Sequence, residues 1–474
     1  MKLSSRNKWS YSIGGIGRDM LFIMVSMFTL SYIQYTMKLT IPQFTAISGI
    51  MIAARVWDGI NDPMMGMIIE NTRFKSGKFR PWILIGGLLN FFATICLFSI
   101  RPEGWAFVVF FGIVYITWGM TFTINDIAYW SLLPNLASDN ETRNSLTNLV
   151  VVFASIGQFL AGGLIPVIVT GNAVVMYKII GISVSFIFLA FTLLTYFGVR
   201  ENERTDNHEK VNLKKMFHIL TKNDQLVIMT IAILLHTIAS EIFVAFGLNF
   251  FYFEFGYGGE YLTIFTIVFA VGTLMALGVF PIVSKRMKRM EIMRLSVIIM
   301  TIGYSTFFMN GIFFKINLIF LYISGFLAFF GITLFYVALI VMTANTIEYN
   351  EFINGSRNES IIFSVRPLMV KIGAAIQQSI VTLVLISSGV VSLTSKIADL
   401  EIEKGNGLVS DITNQANSVL SEGTMAMRLS IRFGMVIVPM ICMLLAFYLI
   451  KKKYIIDETY FETMTQELKK RIQA

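Results

Sequence analysis

Charge is scarce in this chain. Asp, Glu, Lys and Arg make up 14% of its 474 residues, where a soluble domain carries about 25%, so a water-surrounded globule is a poor fit. Cysteine occurs twice, as Cys96 and Cys442, both inside apolar segments, and implies no disulfide framework. The three histidines, His208, His218 and His236, lack metal-ligand spacing. There is no G-x-x-x-x-G-K-[ST] loop, which argues against ATP-driven work by this polypeptide. Neither H-E-x-x-H nor G-x-S-x-G occurs, so no enzyme signature and no cofactor site is expected. A cleavable signal is not expected either. Residues 1–10 are short and basic, and the apolar segment after them is too long and too charged for a signal core.

Apolar residues fill the space that charge leaves. The chain is 55% hydrophobic, with 42 Phe and 27 Met, and its mean hydropathy is +0.69. Abundant Phe and Met suit lipid contact and adaptable helix packing. The length leaves room for about twelve spans of ~20 residues. The sequence predicts them at 10–36, 41–69, 82–100, 106–133, 147–169, 175–199, 225–253, 261–284, 292–312, 317–348, 361–390 and 425–450. The formal charge of +9 comes from loops between spans, which gives a positive-inside pattern and no reason to invoke nucleic acid. Arg73, Lys75, Lys78 and Arg80 mark one basic loop. Arg200, Arg204, Lys210, Lys214, Lys215 and Lys222 mark the central one, and Lys285, Arg286, Lys288, Arg289 and Arg294 a third. These lie on alternate connections, whereas the long 391–424 connection is mainly acidic. Both termini and the central loop are therefore expected in the cytoplasm.

The central polar loop divides the spans six and six. The expected layout is an N-terminal six-helix half at 1–200, a central loop at 201–224, a C-terminal six-helix half at 225–450 and a polar tail at 451–474. That tail has a helical pattern (Tyr460, Met464, Leu468) and reads as a surface helix. Similar basic loops at 66–80 and 281–294 suggest parallel repeats, with a binding site at mid-membrane. The fold class read from this is an all-α membrane protein with twelve transmembrane helices of the major facilitator type.

The informative residues are the charged ones inside spans. A charge at the bilayer centre costs from about 2.5 to well over 10 kcal/mol, so such groups mark an ion or substrate path. Arg55, Asp58 and Asp62 sit within 41–69, and the two aspartates, four apart, share a helical face. Stacked carboxylates with a guanidinium nearby suit a small cation, the alternative being an internal ion-pair network. Arg18 and Asp19 lie midway along the first span. Asp126 lies in the fourth, with Thr123 one turn before and Trp130 one turn after on the same face. Lys371 lies in the eleventh. Three cations thus meet four anions, and one Na⁺ or proton would neutralise the excess if all seven converge. Trp130 is read as an apolar platform for a sugar ring, with Asp126 accepting hydroxyl hydrogen bonds; helix packing is its bland role. Arg366 is expected to snorkel to the interface. Glu241 either lines the path or pairs with a neighbour, and His236 is read as a packing histidine.

At these residues the chain resembles the glycoside–pentoside–hexuronide:cation symporters, the melibiose permease-like family of the major facilitator superfamily. Gly14-Gly15-Ile16-Gly17-Arg18-Asp19 is similar to the family's first-span motif. Ala54-Arg55-Val56-Trp57-Asp58-Gly59-Ile60-Asn61-Asp62-Pro63-Met64-Met65-Gly66, with Gly77-Lys78-Phe79-Arg80-Pro81-Trp82, is nearly its signature. Asp126-Ile127-Ala128-Tyr129-Trp130-Ser131-Leu132-Leu133-Pro134 resembles its fourth-span motif. Ile347-Glu348-Tyr349-Asn350-Glu351-Phe352, Gly355-Ser356-Arg357-Asn358-Glu359-Ser360 and Val370-Lys371-Ile372-Gly373 resemble its tenth-to-eleventh-span region. The resemblance implies a cation site at Asp58, Asn61, Asp62 and Thr123, with Asn61 associated with Na⁺ use. It implies sugar binding at Arg18, Asp19, Asp126 and Trp130, with Lys371 approaching the aspartates from the second half and Arg55 in the charge network. Two positions depart from the pattern. An apolar residue near Val151 replaces a sugar-contacting arginine, and Glu70 replaces an aspartate.

The expectation is a secondary transporter in a bacterial cell membrane, not an enzyme. It would couple inward Na⁺ flow to uptake of a sugar or glycoside by alternating access and function as a monomer. H⁺ is an alternative coupling ion, and an anionic sugar (hexuronide or sulfo-sugar) an alternative substrate. A cation-linked exporter of drugs or lipids on the same fold is a second class.

Overall fold

The structure is a computed structural model and describes residues 4–136, 140–201, 222–355 and 359–473. Among these residues the chain is a succession of helices. The first six are α1 (Ser5–Thr36), α2 (Ile41–Asn71), α3 (Arg80–Ser99), α4 (Gly104–Leu136), α5 (Asn140–Val169) and α6 (Ala173–Gly198). After the central loop come α7 (Asp224–Ala245), α8 (Gly247–Phe255), α9 (Glu260–Val283), α10 (Arg289–Met309), α11 (Leu318–Asn354) and α12 (Glu359–Ser387). Then follow α13 (Val390–Gly405), α14 (Thr413–Ser421), α15 (Met425–Arg432), a π-helical turn at Phe433–Ile437, α16 (Val438–Lys453) and α17 (Glu458–Gln473).

Eleven helical segments among the described residues are long and apolar enough to cross a bilayer. The second expected span is not one of them. α2 has the length, at 31 residues, but Arg55, Asp58, Asp62 and Glu70 lower its apolarity. Helices are generally longer than the apolar runs because their polar ends are capped. Ser4 accepts from the Asn7 amide ahead of α1. Thr40 and Gln43 form a reciprocal capping box ahead of α2. Asn223 accepts from the Leu226 amide ahead of α7. The seventh span is interrupted at Phe246 into α7 and α8. The acidic 391–424 connection, expected as a link, contains α13 and α14. These are amphipathic, and Val390, Val391, Leu393, Ile397 and Ala398 are buried along α13.

The chain forms two compact units. The first comprises Met1–Asn207, Leu248–Thr266 and Leu385–Arg428; the second comprises His208–Gly247, Ile267–Val384 and Leu429–Ala474. In the first, α1 packs on α5 and α6, α3 on α4 and α6, and α2 on α4. The loop before α3 is fixed by Glu201, whose carboxylate accepts from the amides of Lys78 (2.7 Å), Phe79 (3.0 Å) and Arg80 (2.6 Å). An anion there complements the unpaired amides and positive pole of the helix start. In the second unit, α10 packs on α11 and α7 on α16. The tail helix α17 seats Met464 and Leu468 against Tyr349 and Ile456, as its stripe predicts. His208 and His218 lie outside the described residues.

Candidate functional site

Three helices of the first unit, α1, α2 and α4, carry all but one of the expected site residues, and α5 packs against α1 beside them. Close contact between α1 and α5 is made possible by Gly157, where any Cβ would collide with the Ile16 carbonyl oxygen. Small residues allow membrane helices this approach. It brings α1 far enough over α5 for Arg18 and Asp19 to meet side chains from two other helices.

Arg18 is the hub. Its Nε and Nη2 donate to Asp19 Oδ2 at 2.9 and 2.6 Å, and its Nη1 lies 3.4 Å from Asp126 Oδ1 on α4. The guanidinium also covers the rings of Tyr129 and Trp130, at 4.5 and 4.7 Å from their centroids. Tyr129 is itself fixed by stacking on Tyr11 at 4.4 Å, each hydroxyl donating to the other's carbonyl. Asp19 is held from the far side by Gln158 of α5, whose Nε2 donates to Oδ1 at 2.8 Å. The Arg18 and Asp19 side chains are 6% and 13% exposed and that of Asp126 is 36% exposed, so of the three Asp126 is the accessible one. Buried charges of this kind persist only with good partners, and removing one partner costs about 3–5 kcal/mol. One donor is left over: Arg18 Nη1 is buried and makes no hydrogen bond among the described residues.

The expected cation residues lie on one face of α2. Asp58, Asn61 and Asp62 occupy positions i, i+3 and i+4 of a continuous helix. Thr123 of α4 donates to Asp62 Oδ1 at 3.1 Å. A Cβ on Gly119, one turn earlier on α4, would lie 3.0 Å from Asp58 Oδ1. Asn61 is buried, and its Nδ2 makes no hydrogen bond among the described residues. Pro63 lies inside α2 and has no N–H, so the Gly59 carbonyl lacks its usual helical donor. Carboxylate, amide and hydroxyl oxygens are the ligands a small hard cation takes.

One face of α4 therefore serves both groups. Gly119 and Thr123 lie against the acids of α2, while Asp126 and Trp130 lie against Arg18 of α1. Thr123 and Asp126 are one turn apart, a rise of about 4.5 Å. Trp130 has one face covered by Arg18, so only the other can serve as the expected sugar platform.

The remaining expected residues are elsewhere. Lys371 stands on α12 in the second unit. Arg366, expected to snorkel, donates to the Tyr336 hydroxyl and lies over that ring. His236 is buried and stacks on Tyr336 at 4.7 Å, as a packing histidine does. Glu241 is exposed. Gln158, Gly119 and Tyr129 were not singled out from the sequence. Tyr129 was recoverable, since it adjoins Trp130 within the fourth-span motif. A neutral amide and a glycine inside spans carry no comparable signal.

The model of a family described as MFS/sugar transport protein matches residues 10–458, nearly the whole chain. The chain belongs to that family. It is a multi-pass membrane protein of a transporter family and not an enzyme, and the symporter resemblance of its motifs stands. It is 26% identical over 436 residues to a lactose permease of Leuconostoc lactis, covering 85% of this chain and 66% of that protein. The chain thus spans just under two thirds of that permease. It is 24% identical over 408 residues to a glucuronide carrier protein homolog of Escherichia coli K12, covering 82% and 85%. Among solved structures it is similar to an inward-facing bacterial homolog of the human lysosomal transporter Spinster. The TM-score is 0.66 at 10% identity, over 94% of this chain and 97% of that one. At that identity the likeness concerns the fold, a helical major facilitator architecture.

Proposed function

We propose that this protein is a secondary transporter that couples inward Na⁺ flow to uptake of a sugar or glycoside by alternating access. Its setting would be a bacterial cell membrane, with both termini cytoplasmic and the monomer as working unit. The observation that carries the reading is the shared face of α4. Thr123 bonds Asp62, and one turn on Asp126 meets Arg18. A cation at Asp58, Asn61, Asp62 and Thr123 neutralises the acids of α2 and recruits the Thr123 hydroxyl as a ligand. A ligand one turn away, held by Asp126 and the face of Trp130 that Arg18 leaves uncovered, then feels that change through a single rigid helix. Lys371 is assigned to the substrate side as the family resemblance implies. H⁺ could occupy the same acids; the buried Asn61 amide supports Na⁺, because a neutral oxygen ligates a metal ion but holds no extra proton at neutral pH. Names of relatives support the sugar class, lactose and glucuronide being the solutes they print.

The test is accumulation of labelled lactose and other neutral sugars in vesicles, with and without an inward Na⁺ gradient. Gradient-dependent accumulation is expected, and Asp58→Asn should abolish it while retaining downhill exchange. Sugar accumulation that ignores Na⁺ but follows a proton gradient would move the coupling to H⁺. Failure to transport any sugar would overturn the reading.

A further inference from the structure

We propose that Gln158 selects among ring epimers of a neutral sugar, which deepens the sugar-transport reading above and depends on it. Asp126 and Trp130 favour sugars as a class. A carboxylate accepts from hydroxyls of either configuration, and an indole meets only the apolar face of the ring. Epimer selection needs a directional donor and acceptor held at a fixed angle.

Gln158 is placed to supply both. It is half-buried on α5, directly after the close contact at Gly157. Its bond to Asp19 fixes the amide's orientation, because an ionised carboxylate only accepts and the NH₂ end must face it. That bond is its one hydrogen bond among the described residues. That bond holds the amide in place beside Asp19, while its second N–H and its carbonyl oxygen take no hydrogen bond among the described residues. Asp19 is in the opposite condition. Its two oxygens already accept from Arg18 Nε, Arg18 Nη2 and Gln158, three of roughly four lone-pair directions. Asp19 therefore acts on substrate through Gln158 more than by direct contact. The chain Asp126, Arg18, Asp19, Gln158 joins α4, α1 and α5 and carries the site from the accessible carboxylate to the amide. The competing role for Gln158 is polar glue between α5 and α1, worth little beyond packing.

Binding of lactose and cellobiose, which differ only in the configuration at one ring carbon, separates the two roles. Both dissociation constants are measured on the full-length purified protein in Na⁺, for wild type, Gln158→Ala, Gln158→Asn and the near-isosteric Gln158→Met. Thermal melting monitors the fold of each. The expected result is a clear wild-type preference whose ratio shifts by about tenfold or more in the variants, with the Na⁺ dependence of binding unchanged. A uniform weakening that preserves the ratio, or loss of both sugars in variants that melt normally, overturns the assignment in favour of the structural role. A wild type that binds both epimers equally also overturns it while leaving the transport reading intact. If wild type neither binds nor transports any neutral sugar, this assignment falls, and if it transports no sugar at all the transport reading falls with it.

Discussion

Gly119 sets how closely α4 can approach the acids of α2. Adding one methyl there places a carbon 3.0 Å from Asp58 Oδ1, which forces the carboxylate to shift by a few tenths of an ångström. A crowded core position loses about 1 kcal/mol or more, roughly a fivefold change in an equilibrium. Gly119→Ala should therefore raise the Na⁺ concentration for half-maximal uptake about fivefold and leave sugar affinity in saturating Na⁺ nearly unchanged. Gly49→Ala on α2 is the control, since a Cβ there meets nothing within 4 Å. Equal Na⁺ affinities in both variants and wild type would detach Gly119 from the cation site. At this scale the sequence exposed what is rare. Arg18, Asp19, Asp58, Asp62 and Asp126 stand out because charge inside a span is expensive, and the structure pairs Arg18 with both Asp19 and Asp126. Gly119 and Gln158 were illegible because neutral residues are common in spans and gain meaning only from what the fold sets beside them.

Among the elements, α13 and α14 were the least legible. Their chain is polar, acidic and short of a membrane span, so composition alone reads it as a connection. Its one-sided pattern becomes visible only once the face carrying Val391, Ile397 and Ala398 is buried. On that face Glu401 is fully buried. It accepts from the Ala173 amide at the start of α6 (2.6 Å) and from the Tyr257 hydroxyl. Burial holds its carboxyl above the ordinary carboxylate range, and those two bonds offset that only in part. When α13 leaves α6, Glu401 regains water and its ordinary value. The packed state thus binds a proton more readily than the released one. Packing is strongest below the ordinary value of about 4.3 and weakens as pH rises through the raised one. Hydrogen exchange of the α13 amides, corrected for intrinsic rates, should therefore speed up as pH rises from that value. In Glu401→Gln the response should be flat, because no proton is exchanged. A wild-type profile already flat over that window would show that the bonds from Ala173 and Tyr257 outweigh burial.

Across the molecule, the balance of charge bears on which solute the site accepts. The first unit brings two cations, Arg18 and Arg55, to the same set of helices as four acids, Asp19, Asp58, Asp62 and Asp126. Arg18, the cation nearest the proposed sugar position, is taken up by Asp19 and Asp126 together. A free arginine would greet a carboxylate or sulfonate with a bidentate bond. Here that fork is spent on Asp19, and only Nη1 keeps an unmade hydrogen bond. Even with one Na⁺ bound, these four acids outnumber the positive charges set among them, and an anionic sugar would enter against that field. A neutral hydroxyl loses nothing there: it donates to Asp126 and accepts from Arg18 Nη1. Hydrogen bonds to charged groups of this kind are worth about 1.5–3 kcal/mol each. Neutral galactosides such as lactose should accordingly compete for uptake at least about tenfold better than glucuronate or its glycosides. Lys371, in the second unit, is the one assigned site cation this balance leaves out, and it provides the internal control. If Lys371 supplied the charge for an anionic substrate, Lys371→Gln would erase competition by glucuronides and spare lactose. Strong glucuronide competition in wild type, lost in Lys371→Gln, would reverse the assignment to an anionic sugar.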